Sequence, residues 1–214
     1  MVRDLTNLPA LKMVGPGVFE LEKVRIDKQQ RAVSFPATVN KRDGGMEYFL
    51  VTGYGKVHES IFRTSVAPLH IHVAMVLLNA KGAGTNLMAS APPQYGGIPG
   101  LSIPGDPITI EVSWREEDKE ITRRAEELFI DPAADAPLEK RPWVFNGSVL
   151  WQGIFLAQQS GSIISLIPDP IALMNSAAPT RAETVYWIPK GDKLPPSDVP
   201  VRITIKLKAI PSEK

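Results

Sequence analysis

Apolar and polar positions alternate along most of this chain, the pattern of half-buried strands. Val18 to Ile26 predicts a first strand, and a polar turn from Asp27 to Gln30 separates it from Arg31 to Val39. Pro36 marks this second strand as an edge or a bulge, because proline has no N–H for a ladder. Asp43-Gly-Gly45 introduces a third strand, Met46 to Thr52, and the short connections predict an antiparallel meander. Lys56 to Phe62 reads as a further short strand. Ile108 to Trp114 alternates cleanly, with Arg123 to Ile130 as its partner. Trp143 to Trp151 predicts a hairpin turning on Asn146-Gly147, a pair that tolerates the positive φ of a two-residue turn. Ile154 to Gln158 and Ser162 to Ile167 flank Gln159-Ser-Gly161 as a second hairpin. Asp169 to Met174 reads as a helical turn, and Glu183 to Ile188 and Val199 to Leu207 as late strands.

One segment breaks the period. Leu69 to Leu78 is apolar on nearly every side and predicts a helix buried between layers. Thr64 or Ser65 supplies its N-cap, Pro68 its first turn, and Asn79-Ala-Lys-Gly82 its stop. The fold class that follows is α+β: mainly antiparallel β-sheet, as a sandwich or partly rolled, with one buried helix around residues 68–79. Residues 1–17 carry little periodicity and read as an N-terminal arm, and residues 18–214 as a single β-rich domain. The stretch from Ala91 to Pro107 is rich in proline and glycine and too long for a routine connector, which marks it as functional or mobile. Its one aromatic, Tyr95, suits contact with an apolar ligand.

Composition narrows the chemistry. With 24 Lys+Arg against 23 Asp+Glu, the net charge of +1 gives no bulk attraction to nucleic acid. The absence of cysteine removes disulfides, thiolate catalysis and cysteine-held iron–sulfur clusters. No apolar run is long enough for a transmembrane segment, and Met1-Val-Arg-Asp-Leu5 lacks an export-signal pattern. No cofactor is evident, though a divalent metal is compatible with the histidines.

All three histidines, His58, His70 and His72, fall within fifteen residues. Histidine titrates near neutral pH and ligates metals, so this region is the first candidate for a site. Helical spacing places residues two apart about 200° around the axis, which separates His70 from His72. The ligand-binding candidates are therefore His58, Glu59, His70 and Tyr95, with His58 and His70 as metal ligands. Two protein ligands fall short of the three that a catalytic zinc usually takes. The competing reading gives these histidines polar-network or packing roles. His58-Glu59-Ser60 contains a base, a carboxylate and a hydroxyl, yet strand alternation would turn Glu59 away from the other two. Asn146-Gly-Ser148 formally matches a glycosylation acceptor, and the hairpin turn accounts for it.

Five blocks resemble the YdjY-like family of bacterial proteins: Glu47-Tyr-Phe-Leu-Val-Thr52 with Lys56-Val-His-Glu-Ser60, Ala67 to Gly82, Gly105 to Trp114, Trp143 to Ser148, and Gly161 to Pro170. They follow the family's order over roughly residues 18–207. The resemblance implies an extracytoplasmic protein, in the periplasm or cell envelope, without an assigned activity. Some members are labelled iron–sulfur proteins, which a chain without cysteine cannot match. The functional expectation is a non-catalytic cell-envelope module that binds a small ligand, a metal or a protein partner near His58 and His70. A metal-dependent hydrolase or redox enzyme using the same histidines is the first alternative, and a structural or assembly protein the second.

Overall fold

In this computed structural model, which describes residues 8–84, 103–131, 136–137, 143–176 and 187–208, the alternating segments close on themselves. Four antiparallel strands open the fold: β1 (Leu11–Gly15), β2 (Val18–Leu21), β3 (Val24–Asp27) and β4 (Ala32–Val39). Then come β5 (Tyr48–Thr52), β6 (Ser60–Thr64) and helix α1 (Pro68–Leu77). The second half holds β7 (Asp106–Glu116), β8 (Lys119–Arg124), β9 (Phe129–Asp131), β10 (Ala136–Pro137) and β11 (Trp143–Phe145). After these follow β12 (Leu150–Trp151), β13 (Ile154–Phe155), α2 (Leu156–Ser160), β14 (Ser162–Ser165), β15 (Met174–Ser176), β16 (Ile188–Pro189) and β17 (Pro200–Leu207).

The order β4-β17-β7-β11-β15-β14-β5-β6 returns to β4 through the β4–β6 pairing, which makes a closed eight-stranded barrel. This corrects the expected α+β sandwich or partly rolled sheet. Strands take 47% of the chain and helices little of it, so the class is mostly β, with α1 and the short α2 as its α-helices among the described residues. Closure gives every barrel strand two neighbours, whereas a sandwich leaves edges to be protected.

Two long strands each serve two partners along one edge. β4 pairs with β3 at residues 32–34 and with β6 at 38–39, while its other edge follows β17 throughout. Pro36 sits in the gap between those two partners, so its missing N–H breaks no ladder. Its carbonyl accepts a hydrogen bond from Thr64 Oγ1 at 2.6 Å. β7 likewise pairs with β11 at residues 106–108 and with β8 at 111–116. The β1–β3 strands and β8 therefore extend from the barrel as two hairpin wings.

Two pairings are parallel, β5 with β6 and β14 with β15. The antiparallel meander expected over residues 18–52 fails here, because β6 lies between β4 and β5. Each parallel connection is a short loop, 53–59 or 166–173, that runs back along the strand it has just left. Close packing makes that return possible: a Cβ on Gly55 would lie 3.1 Å from the Gly161 carbonyl oxygen. The Asn146-Gly147 hairpin is also absent. β11 pairs with β7 and β15 instead, and the two-residue turn in this region is Gln152-Gly153, both at positive φ, between β12 and β13.

α1 agrees with the expected helix in position but not in burial. Ile71, Ala74 and Met75 enter the core, while Val76 and Leu77 are 48% and 37% exposed, so the helix lies one-sided against β3, β4 and α2. Its N-cap is Ala67, and Thr64 Oγ1 instead accepts from the Val66 N–H. Within the barrel, Phe49 packs on Phe62, Phe129 and Trp143 at centroid distances of 5.0 to 6.2 Å. Trp187 closes the cluster against Phe129.

Candidate functional site

The two return loops meet through a chain of polar side chains. Because loop 53–59 runs back along β5, Lys56 arrives over Tyr48, with Nζ 4.8 Å from the ring centroid and donating to the hydroxyl at 3.0 Å. Tyr48 in turn donates to Asp169 Oδ2 at 2.9 Å, in the second return loop. Asn175 holds that loop from beneath: its Oδ1 accepts the Asp169 N–H at 2.7 Å and its Nδ2 donates to the Asp169 carbonyl at 2.9 Å. Asn175 also donates to Asn146 Oδ1 at 2.8 Å, and Asn146 Nδ2 donates to the Ala172 carbonyl at 2.7 Å. Ser148 completes the set by donating to the Ile171 carbonyl at 2.6 Å. Asn146, at 2% exposure, is unreachable for the glycosylation that its sequence context suggests.

Burial sets the charges in this chain. It pushes the Tyr48 phenol well above its usual pKa, and Asp169 beside it adds to the shift. Burial likewise raises the Asp169 carboxyl, against the lowering effect of the Tyr48 hydrogen bond. Glu47, next along, is raised by burial and then by Glu59. Lys56 lies 3.5 Å from Glu59, so the ammonium balances the carboxylates around it.

The histidines take three different roles. His58 occupies the 3₁₀ turn Val57–Glu59, with 77% of its side chain exposed and Nε2 3.9 Å from Glu59 Oε2. His70 lies in the first turns of α1, with Nδ1 2.8 Å from Glu22 Oε2. β6 separates the two: His58 precedes its first residue and His70 follows its last, and five strand residues span about 13 Å. Each histidine has its own carboxylate. His72 packs at 5.0 Å from Phe155 and 5.8 Å from Phe145, and burial lowers its pKa. Among the described residues, no three His, Asp or Glu side chains form a group suited to a metal ion. Tyr95 lies outside the described residues.

The acid–base chemistry available here is meagre. A lysine beside a tyrosine can generate a phenolate base, but Tyr48 is pushed the other way and its proton is committed to Asp169. Ser60 is fully buried and donates to the Phe62 carbonyl at 2.8 Å, so it is no nucleophile for His58. The chain of polar groups is explained by its structural task. It satisfies backbone groups of the second crossover, at Asp169, Ile171 and Ala172, and ties that loop to the first through Tyr48 and Lys56.

A concave feature among the described residues lies elsewhere, between the two wings. A groove of about 1130 Å³ runs over the outer face of β4, β17 and β7. Ser34, Pro36, Ser113 and Arg202 line its floor, and Trp114 reaches it from the core side. Glu20, Glu22, Lys23 and Arg25 form one wall, and Arg115, Asp118 and Glu120 the other. His70 contributes indirectly, because it holds Glu22. Sequence reasoning missed this site, although the alternation over Ile108 to Arg115 and Val199 to Leu207 already puts Ser113, Arg115 and Arg202 on the outward face.

A family model described as the YdjY domain matches residues 24–206, which spans β3 to β17 and therefore the whole barrel. No curated protein and no solved structure matches the chain. The match includes the groove's floor and its β7–β8 wall, and it begins just after Glu20, Glu22 and Lys23 of the other wall.

Proposed function

The chain belongs to the YdjY domain family, and we propose that it is a non-catalytic binding module whose contact surface is the groove between its wings. The observation that carries this reading is the contrast between two regions. The buried titratable groups are consumed in holding the return loops, whereas the groove is open and, on its floor and its β7–β8 wall, presents Arg202, Arg115, Asp118 and Glu120 without an ion pair or side-chain hydrogen bond among the described residues. Its volume matches or exceeds that of ordinary ligand sites, which run to roughly 1,000 Å³. A cell-envelope location is part of the same proposal and rests on the family resemblance alone; fractionation of the source cells tests it.

A two-dimensional ¹⁵N–¹H spectrum tests the binding reading. The protein is titrated with a set of amino acids, dipeptides, phosphate esters and monosaccharides, each also followed for chemical change. The expected result is shifts clustered on β3, β4, β17, β7 and β8, with every probe recovered intact. Conversion of a probe at a protein-dependent rate, or shifts clustered around Lys56 and His58, would overturn it.

The assembly alternative is favoured by one observation. β1 is an edge strand whose Leu11, Met13 and Val14 are 45%, 72% and 47% exposed, and apolar free edges recruit other strands. Light scattering across a concentration series separates the readings, since a Met13→Lys variant should abolish any self-association.

A further inference from the structure

We propose that the groove is built for a peptide of mixed charge, with a carboxylate of the ligand held by Arg202 and Arg115 and a cationic side chain by Asp118 and Glu120. The proposal rests on the reading of the groove as the binding surface. The argument starts from which charges are already spent. On the β2–β3 wall, Glu20 lies 4.0 Å from Arg25, Glu22 lies 2.8 Å from His70, and Lys23 donates to Ser65 Oγ at 3.2 Å. Each charged group of that wall thus lies against another described side chain. On the floor and the β7–β8 wall the reverse holds. Among the described residues, Arg202, Arg115, Asp118 and Glu120 take part in no ion pair or side-chain hydrogen bond.

Register puts these groups in two adjacent rows on one face. Pro36, Arg202, Ser113 and Thr122 stand opposite one another across β4, β17, β7 and β8. Arg115 and Glu120 form the next row, two residues along β7 and β8. Rows two residues apart are separated by about 6.4 to 6.8 Å, which is also the spacing of same-side residues in an extended peptide. A peptide running along the floor strands thus meets the two rows with residues i and i+2. Register places Arg202 diagonally from Arg115, with Ser113 opposite Arg202 and two residues before Arg115, and two guanidinium forks with a hydroxyl suit a carboxylate. Asp118, in the β7–β8 turn, and Glu120 then face the neighbouring cation. The mixed signs argue against a simple anion, because Glu120 stands directly opposite Arg115 and would repel one.

The test uses the full-length protein and the peptide acetyl-Ala-Glu-Ala-Lys-Ala-amide, followed by ¹⁵N–¹H shifts at low salt. Its Gln/Gln counterpart and phosphoethanolamine serve as the other arms. The Glu/Lys peptide should shift β17, β7 and β8 resonances and bind at least tenfold more tightly than the Gln/Gln peptide. Arg202→Gln should weaken it about tenfold, and Glu120→Gln should remove the advantage of its lysine. Equal binding of the neutral peptide, unchanged affinity in Arg202→Gln, or stronger binding of phosphoethanolamine would each overturn the proposal. If the neutral peptide binds in the groove as well as the charged one, the binding module stands and only this charge assignment falls. If no probe binds, both fall.

Discussion

Removing the Tyr48 hydroxyl should destabilise the protein in a pH-dependent way. In Tyr48→Phe the Asp169 carboxyl loses a 2.9 Å donor, and Lys56 loses the acceptor that positions it. A hydrogen bond to an ionised group contributes about 1.5 to 3 kcal/mol, and a neutral one about 0.5 to 1.5. The hydroxyl favours the ionised carboxylate, so its loss raises the Asp169 pKa further above the ordinary 3.8. A carboxyl whose folded pKa is raised binds its proton more tightly folded than unfolded, and its contribution to stability falls as pH rises through that window. The variant widens the window, so its deficit should be about 2 to 3 kcal/mol at pH 7 and nearer 1 kcal/mol at pH 4. Urea unfolding of wild type and variant at both values, with Asp169→Asn and the double variant to close the cycle, reads this directly. A deficit independent of pH, or one that persists unchanged in the Asp169→Asn background, would refute the assignment of Tyr48 as the donor that keeps Asp169 ionisable.

Three further outcomes follow from particular residues. Burial lowers the His72 pKa, so the folded state resists protonation; stability should be full above pH 6.5 and fall below it, by at most about 1.4 kcal/mol per pH unit. Thermal melts from pH 7.5 to 5 should show that slope in wild type and lose it in His72→Leu. Gly82→Ala should cost more than about 2 kcal/mol in chemical denaturation, because φ is +68° and the new Cβ would lie 2.7 Å from the Asn146 carbonyl oxygen. Expression through a glycosylating secretory host should yield protein without glycan at Asn146, as intact mass will show, because its amide is buried and bonded to Ala172 and Asn175.

Much of the strand content was legible because period-two alternation depends only on one face being buried. β17 and β7 appear in the sequence almost at their observed bounds for that reason. The closure was not legible. A seven-residue link such as 53–59 reads as a hairpin connection, and parallel pairing through so short a loop is unusual. Nothing local announces that Tyr48 will pair with Ser60 in parallel; that outcome depends on Gly55 and Gly161 approaching each other and on Asp169 reaching Tyr48 from 121 residues away. The Asn146-Gly147 turn failed on the same ground, since Asn146 contributes more as a buried donor and acceptor than as a turn residue.

The same reasoning explains why the histidines drew attention and the groove did not. Residue type is visible in a sequence, and three histidines in fifteen positions stand out whatever they touch. Availability is a property of the fold. His70 and Glu22 have each other, Lys56 and Tyr48 have each other, and a group already paired gains little from a ligand because binding must first break what it has. Arg202 and Arg115 look ordinary as exposed strand residues, yet they sit in a concavity with no ion pair or side-chain hydrogen bond among the described residues. A ligand that meets them pays only for its own desolvation and ordering. On that criterion of unspent interaction, the proposed contact surface is the groove between the wings of the barrel rather than its polar rim.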